Sequence, residues 1–373
     1  MIEKFMVLAL ATLLGISSFS CDDPKVNTEA RSGVKETDQT TKPDSSYLFL
    51  SKVQTIFQDS QGNYWLGSRE NGLCKYDGES YTYFTMADGL PSNSVPYIQE
   101  DAAGNIWLDN TEAITKYDGK EFLVYDKTFI PTVDINKHPV ALSKNDLWFR
   151  DTKKVGIYRY DGKELTFISF EDPPLNLTPH HSHFFVSDIT DVVDGETWFG
   201  TIMQGAVGFD GRKFEKITDA SFDFDSDAEF LHIRSMLLDS KGNLWIGNNG
   251  IGVILKQQDT LIHFSKEQGR LLSMAAFEMN GRNGAFVLNT GLQSVFAIEE
   301  DANGHIWFGD RDSGVWEYDG EELRNYNSIY SKNDLSELVW DIYCDRSGRL
   351  FFILVGGEVF TFNGESFETF DGF

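Results

Sequence analysis

The chain is poor in positive charge and in cysteine. It also lacks a membrane-length apolar run and the common catalytic signatures. Of its 373 residues, 32 are Lys or Arg against 58 Asp or Glu, a formal net charge of −26. Such a surface repels nucleic acid and anionic headgroups, so no nucleic-acid partner is expected. The plain reading of this charge is solubility. The N-terminal apolar run, Phe5 to Ile16, is too short for a comfortable transmembrane span. No nucleophile elbow, Walker loop or His-Glu-x-x-His pattern occurs, and carboxylates are too abundant for any pair to stand out. Aromatics, in contrast, reach 14%, which suits strands packing flat faces together.

Residues 1–20 read as a signal peptide, with Lys4 ahead of the apolar run. Small residues before Cys21 resemble a bacterial lipobox, where the cysteine is lipid-modified and becomes the new N-terminus. Ser18 stands where that motif usually has Leu, and Phe19 is bulky. Asp22 and Asp23 resemble the acidic signal that sends some Bacteroidetes-type lipoproteins to the cell surface. Residues 21–46 therefore read as a lipidated cysteine and a polar, disordered tether.

From residue 47 to 373 the sequence is periodic. Seven aromatic anchors follow one another: Trp65, Trp107, Trp148, Trp198, Trp245, Trp307 and Phe351. Their spacings run from 41 to 62 residues, by subtraction, a propeller-sized period. Gly lies three before each anchor except the third, where Asn145 stands and is expected to enter the same left-handed conformation. Asp lies six before five of them, and the pattern fails at Leu142 and Val192. Asp-x-x-Gly between apolar runs predicts a hairpin with a type I turn. An aromatic and a turn pair follow six of the anchors, as in Tyr76-Asp77-Gly78 and Phe362-Asn363-Gly364; the fifth repeat has Leu255 and no Gly there. Each repeat thus predicts four short strands, the inner one first. The fold class is all-β, a seven-bladed β-propeller of four-stranded blades, with the seven anchors as packing residues.

Asp88 to Val95 followed by Glu100 to Leu108, and Asn289 to Val295 leading to Ile306 to Gly309, resemble the two-component regulator propeller repeat. The resemblance covers about Ser46 to Phe373. It implies the fold, and a kinship with periplasmic sensors of hybrid histidine kinases that respond to saccharides. The chain ends after its last blade, so no kinase role is expected. A more distant similarity is to streptogramin lyase propellers, whose His and metal have no counterpart here that aligns.

Loops between second and third strands gather on one face, where function usually sits. They carry Arg69, Arg150, Arg311 and Asn248; with Trp340 these are the candidate ligand contacts. Converging Arg side chains hold a carboxylate or sulfate bidentately; the alternative is that each pairs with a neighbouring acid. His180 and His183 lie in a long blade-joining loop as candidate metal ligands, although a zinc site needs three or four. Asp223 to Asp227 alternates acids like a calcium loop but lacks its Gly and closing Glu. Only these two features would bring in a divalent cation; otherwise no cofactor is expected. Cys74 and Cys344 fall in the first and last blades, as buried thiols or a ring-locking disulfide. The extra length near 268–290 reads as a cap over the channel, a partner surface or a packed turn.

The expected function is a non-catalytic binding propeller of an exported, outer-membrane lipoprotein, recognising a saccharide or an envelope protein. The alternatives are a metal-dependent lyase or hydrolase and a structural partner in an envelope complex.

Overall fold

The computed structural model describes residues 52–110, 113–151, 154–170, 186–202, 204–222, 231–271, 291–326 and 338–373. They form seven four-stranded sheets. Six are antiparallel meanders in sequence order, as in Val53–Gln58, Tyr64–Ser68, Leu73–Tyr76 and Tyr81–Phe84. Seven hydrophobic clusters hold them, each shared by two adjacent blades, with the last clustering Phe351 of the seventh blade against Leu66 of the first. The chain is a closed seven-bladed β-propeller.

The repeated turn has a specific chemistry. In the first blade Gly62 donates its N–H to Asp59 O at 3.0 Å and sits at φ +90°. The Asp59 carboxylate accepts the N–H groups of Gln61 and Asn63, then reaches the indole of Trp65 at 2.8 Å. Asp101, Asp239 and Asp301 clasp Trp107, Trp245 and Trp307 in the same way. Each carboxylate therefore closes the turn and satisfies the buried anchor's only donor. Two residues past the anchor, Gly67 and Gly309 admit the next blade's inner strand; a Cβ there would collide with Val95 O or with the Val339 side chain.

Two turns differ from expectation. In the fourth blade the reversal is a two-residue turn at Asp194 and Gly195, both at positive φ, with Val193 bridging Glu196. In the fifth, Gln258 takes the left-handed conformation in place of the missing Gly.

The third blade corrects the repeat. It has no inner strand: its sheet runs Leu147–Arg150, Gly156–Tyr160, Leu165–Ser169, and then Thr132–Val133 added in parallel outside. The preceding chain crosses to the fourth blade, where Val140 N–H donates to Gly211 O. Without that hairpin Asn145 does not enter the left-handed region. Side chains replace the strand. The Gln99 amide donates to Trp148 O at 2.8 Å and accepts from Trp148 N at 3.3 Å, as a facing peptide would. The Asp109 carboxylate, standing where other blades have the post-anchor Gly, accepts Arg150 N–H. Lys127 Nζ donates to Asp109 Oδ1 (2.8 Å), Asn110 O (2.6 Å) and Arg150 O (2.7 Å).

First and last blades share no strand; they meet through side chains. Tyr64 OH donates to Asp345, Gln58 N–H donates to Tyr343 OH, and Phe373 stacks on Tyr64 with ring centroids 3.9 Å apart. Cys74 and Cys344 are free thiols, and burial pushes them up to about 12 and about 11.

Candidate channel-mouth site

The inner strands that begin with Val53, Val186, Ile233, Val295 and Val339 all shift register after that first residue. The skipped residues are Gln54, Ser187, Arg234, Phe296 and Trp340. A bulge re-aims a side chain out of strict alternation. Ser187, Arg234, Phe296 and Trp340 line a cavity of about 110 Å3, together with Tyr97 and Asp188.

Arg234, Phe296 and Trp340, with Arg69 beside Trp340, come from blades five, six, seven and one. The Arg234 guanidinium lies over the Phe296 ring, 4.9 Å from its centroid. Arg69, exposed on its loop, lies 5.3 Å from the Trp340 ring. Among the described residues neither arginine makes an ion pair, and Arg234 Nε is buried without a hydrogen-bond partner. Burial, and then the charge of Arg311, lower the Arg234 guanidinium from its ordinary value. A partly desolvated, unpaired cation in so acidic a chain is costly in the absence of an anion.

The other sequence candidates lie differently. Arg311 is held by Asp312 at 2.7 Å and by Asn249 at 3.1 Å. Arg150 is buried, 3.3 Å above the Tyr97 ring centroid and 3.3 Å from Asp188. Asn248 is 0% exposed and bonds the backbone of Ile246 and Gly252, so it stays inside its blade rather than on the loop face. All seven anchors are buried between blades. Sequence reasoning named Trp340 and Arg69 but missed Arg234 and Phe296. The signal was there: each follows the first apolar residue of an inner strand.

The same cavity also carries acids, Asp188 and Asp341. Burial, and then the charge of Asp188, push Asp341 up to about 7. Glu299 is raised well above the usual carboxylate range by burial and then by Asp341, Asp191 and Asp188. Among the described residues no three His, Cys, Asp or Glu side chains are arranged to hold a metal ion, and no helix is long and apolar enough to cross a membrane. Cys21, His180, His183, the acidic run at 223–227 and most of the stretch at 268–290 lie outside the described residues.

Residues 47–70, 89–111 and 230–250 match the two-component regulator propeller. No curated protein matches it in sequence. Among solved structures, it resembles the extracellular domain of BT4673 from B. thetaiotaomicron, described as a one-component or a hybrid two-component system. That likeness has a TM-score of 0.55 and 21% identity, over 81% of this chain but 37% of that one. This propeller thus spans little more than a third of that domain. Streptogramin B lyase matches at TM-score 0.51 and 13% identity, over 86% of this chain and 94% of that one. YCF48 bound to D1 peptide matches at 0.50 and 11%, over 83% and 91%. At these identities the likeness establishes the shared fold.

Proposed function

We propose that this propeller is an exported, non-catalytic binding module that takes an acidic saccharide across its channel mouth. The unpaired Arg234 guanidinium on Phe296, with Arg69 on Trp340 beside it, carries the reading. Aromatic faces suit the flat apolar side of a sugar ring, and planar guanidinium groups suit its carboxylate or sulfate. Export is supported by the leader-like residues 1–20 and by the extracellular setting of BT4673. Lipidation at Cys21 would anchor the head to the outer membrane.

The test is calorimetric titration of the lipid-free chain with oligogalacturonate and with a sulfated glycan. Binding should weaken about tenfold to a hundredfold in Arg234→Gln, the loss of one charge-assisted bond. It should also weaken as salt rises. Unchanged affinity in that variant, or no binding of either glycan, would overturn the proposal.

A further inference from the structure

Six blades fill their place beside the channel with a strand, and the third leaves that lane to side chains. Lys127 and Asp109 occupy its upper part and Gln99 its middle. The remainder is open. A cavity of about 400 Å3 adjoins the lane, lined by Trp148, Phe57 and Ile189 and by six charged residues, Lys144, Arg346, Asp191, Glu100, Asp146 and Arg150. That volume falls within the range of small-molecule sites.

Arg150 is committed to Asp188, Asp146 to Arg159 and Glu100 to Ser60, whereas the other three charges are not so held. Among the described residues Lys144 has no carboxylate within ion-pair distance, and Asp191 has no cation. Arg346 reaches only Glu100, at 4.0 Å. The walls carry a second, independent deficit. Leu142 stands where other blades place the clasping Asp, and the Trp148 indole N–H is buried without a partner. Asp146 Oδ1, also on the cavity lining, is buried and unpartnered too. Native proteins rarely leave such groups orphaned without cause. A free anion would satisfy Lys144 and Arg346 and face Asp191 unfavourably. A free cation would do the reverse. A molecule carrying both charges satisfies both signs, and the aromatic lining residues suit an apolar remainder.

We infer that the vacated strand lane of the third blade binds a free α-amino acid with an apolar side chain. Its carboxylate sits with Lys144 and Arg346, its ammonium with Asp191, and its side chain against Trp148 and Phe57. The site shares Tyr97 with the channel-mouth cavity but none of the contacts proposed here, and it does not depend on the saccharide reading.

The experiment uses the full chain and the free acids L-leucine, L-methionine and L-phenylalanine, each beside its N-acetyl and its C-amide form. The melting midpoint should rise with at least one free acid and with neither blocked form. Asp191→Asn and Lys144→Gln, both at exposed positions, should each weaken binding at least about tenfold. Arg234→Gln should leave it unchanged. No shift with any free acid at about 10 mM, equal binding of the blocked forms, or binding that survives both substitutions would overturn the inference.

Discussion

Lys127 offers a quantitative test of how a blade survives without its inner strand. Lys127 is 6% exposed and its ammonium makes three short bonds, one of them to Asp109, itself 3% exposed. Replacing it in Lys127→Met keeps the apolar stem and removes the charge and all three donors. Asp109 then keeps a single partner, Arg150 N–H at 2.7 Å, and two carbonyls lose theirs. Breaking a buried ion pair from one side costs about 3–5 kcal/mol, because the remaining charge is stranded. Urea unfolding followed by tryptophan fluorescence and far-ultraviolet circular dichroism should show the midpoint falling with an unchanged slope. Adding Asp109→Asn should recover at least about 1 kcal/mol, since the amide still accepts from Arg150 and carries no charge. A loss below about 1 kcal/mol, or a double variant no better than the single one, would refute the view that this pair stands in for the strand.

The remaining expectations concern pH and ring closure. Asp341 is pushed from 3.8 to about 7, so between those values the folded chain holds a proton that the unfolded chain releases. Stability should therefore fall as pH rises through that window, and melting should occur at higher temperature at pH 5.5 than at pH 8. Asp341→Asn should reduce that slope; an undiminished slope would contradict the assignment. Phe373→Ala removes the stack on Tyr64 and should lower stability by about 1–2 kcal/mol. In a Tyr64→Ala background the same change should cost less, as read by a double-mutant cycle of urea midpoints.

What the sequence made legible was whatever repeats. Asp59, Gly62 and Trp65 recur at fixed offsets because one carboxylate both shapes a turn and binds an indole, so the blades announced themselves. The third blade was less legible because its signals are substitutions within that pattern. Leu142 removes the clasp, and Asp109 fills a place that Gly67 and Gly309 leave open for an incoming strand. Asp109 is tolerated because no strand comes. The channel mouth was half legible for a related reason. Alternation along a strand does not tell which way a bulged residue points, so Arg234 and Phe296 looked like ordinary inner-strand residues. Asn248 misled in the other direction, because a polar residue at a strand end was taken for a loop residue when its side chain closes its own blade.

Each meandering blade is written in one uninterrupted stretch of sequence, and the last does not borrow a strand from the first. In genetic terms a blade is a cassette: a single in-frame duplication or deletion would copy or remove a whole sheet. Rings of neighbouring size are thus one recombination event away. The residues that would resist such a change are those at the seam, Tyr64, Tyr343, Asp345 and Phe373, whose bonds read the angle at which the last sheet meets the first.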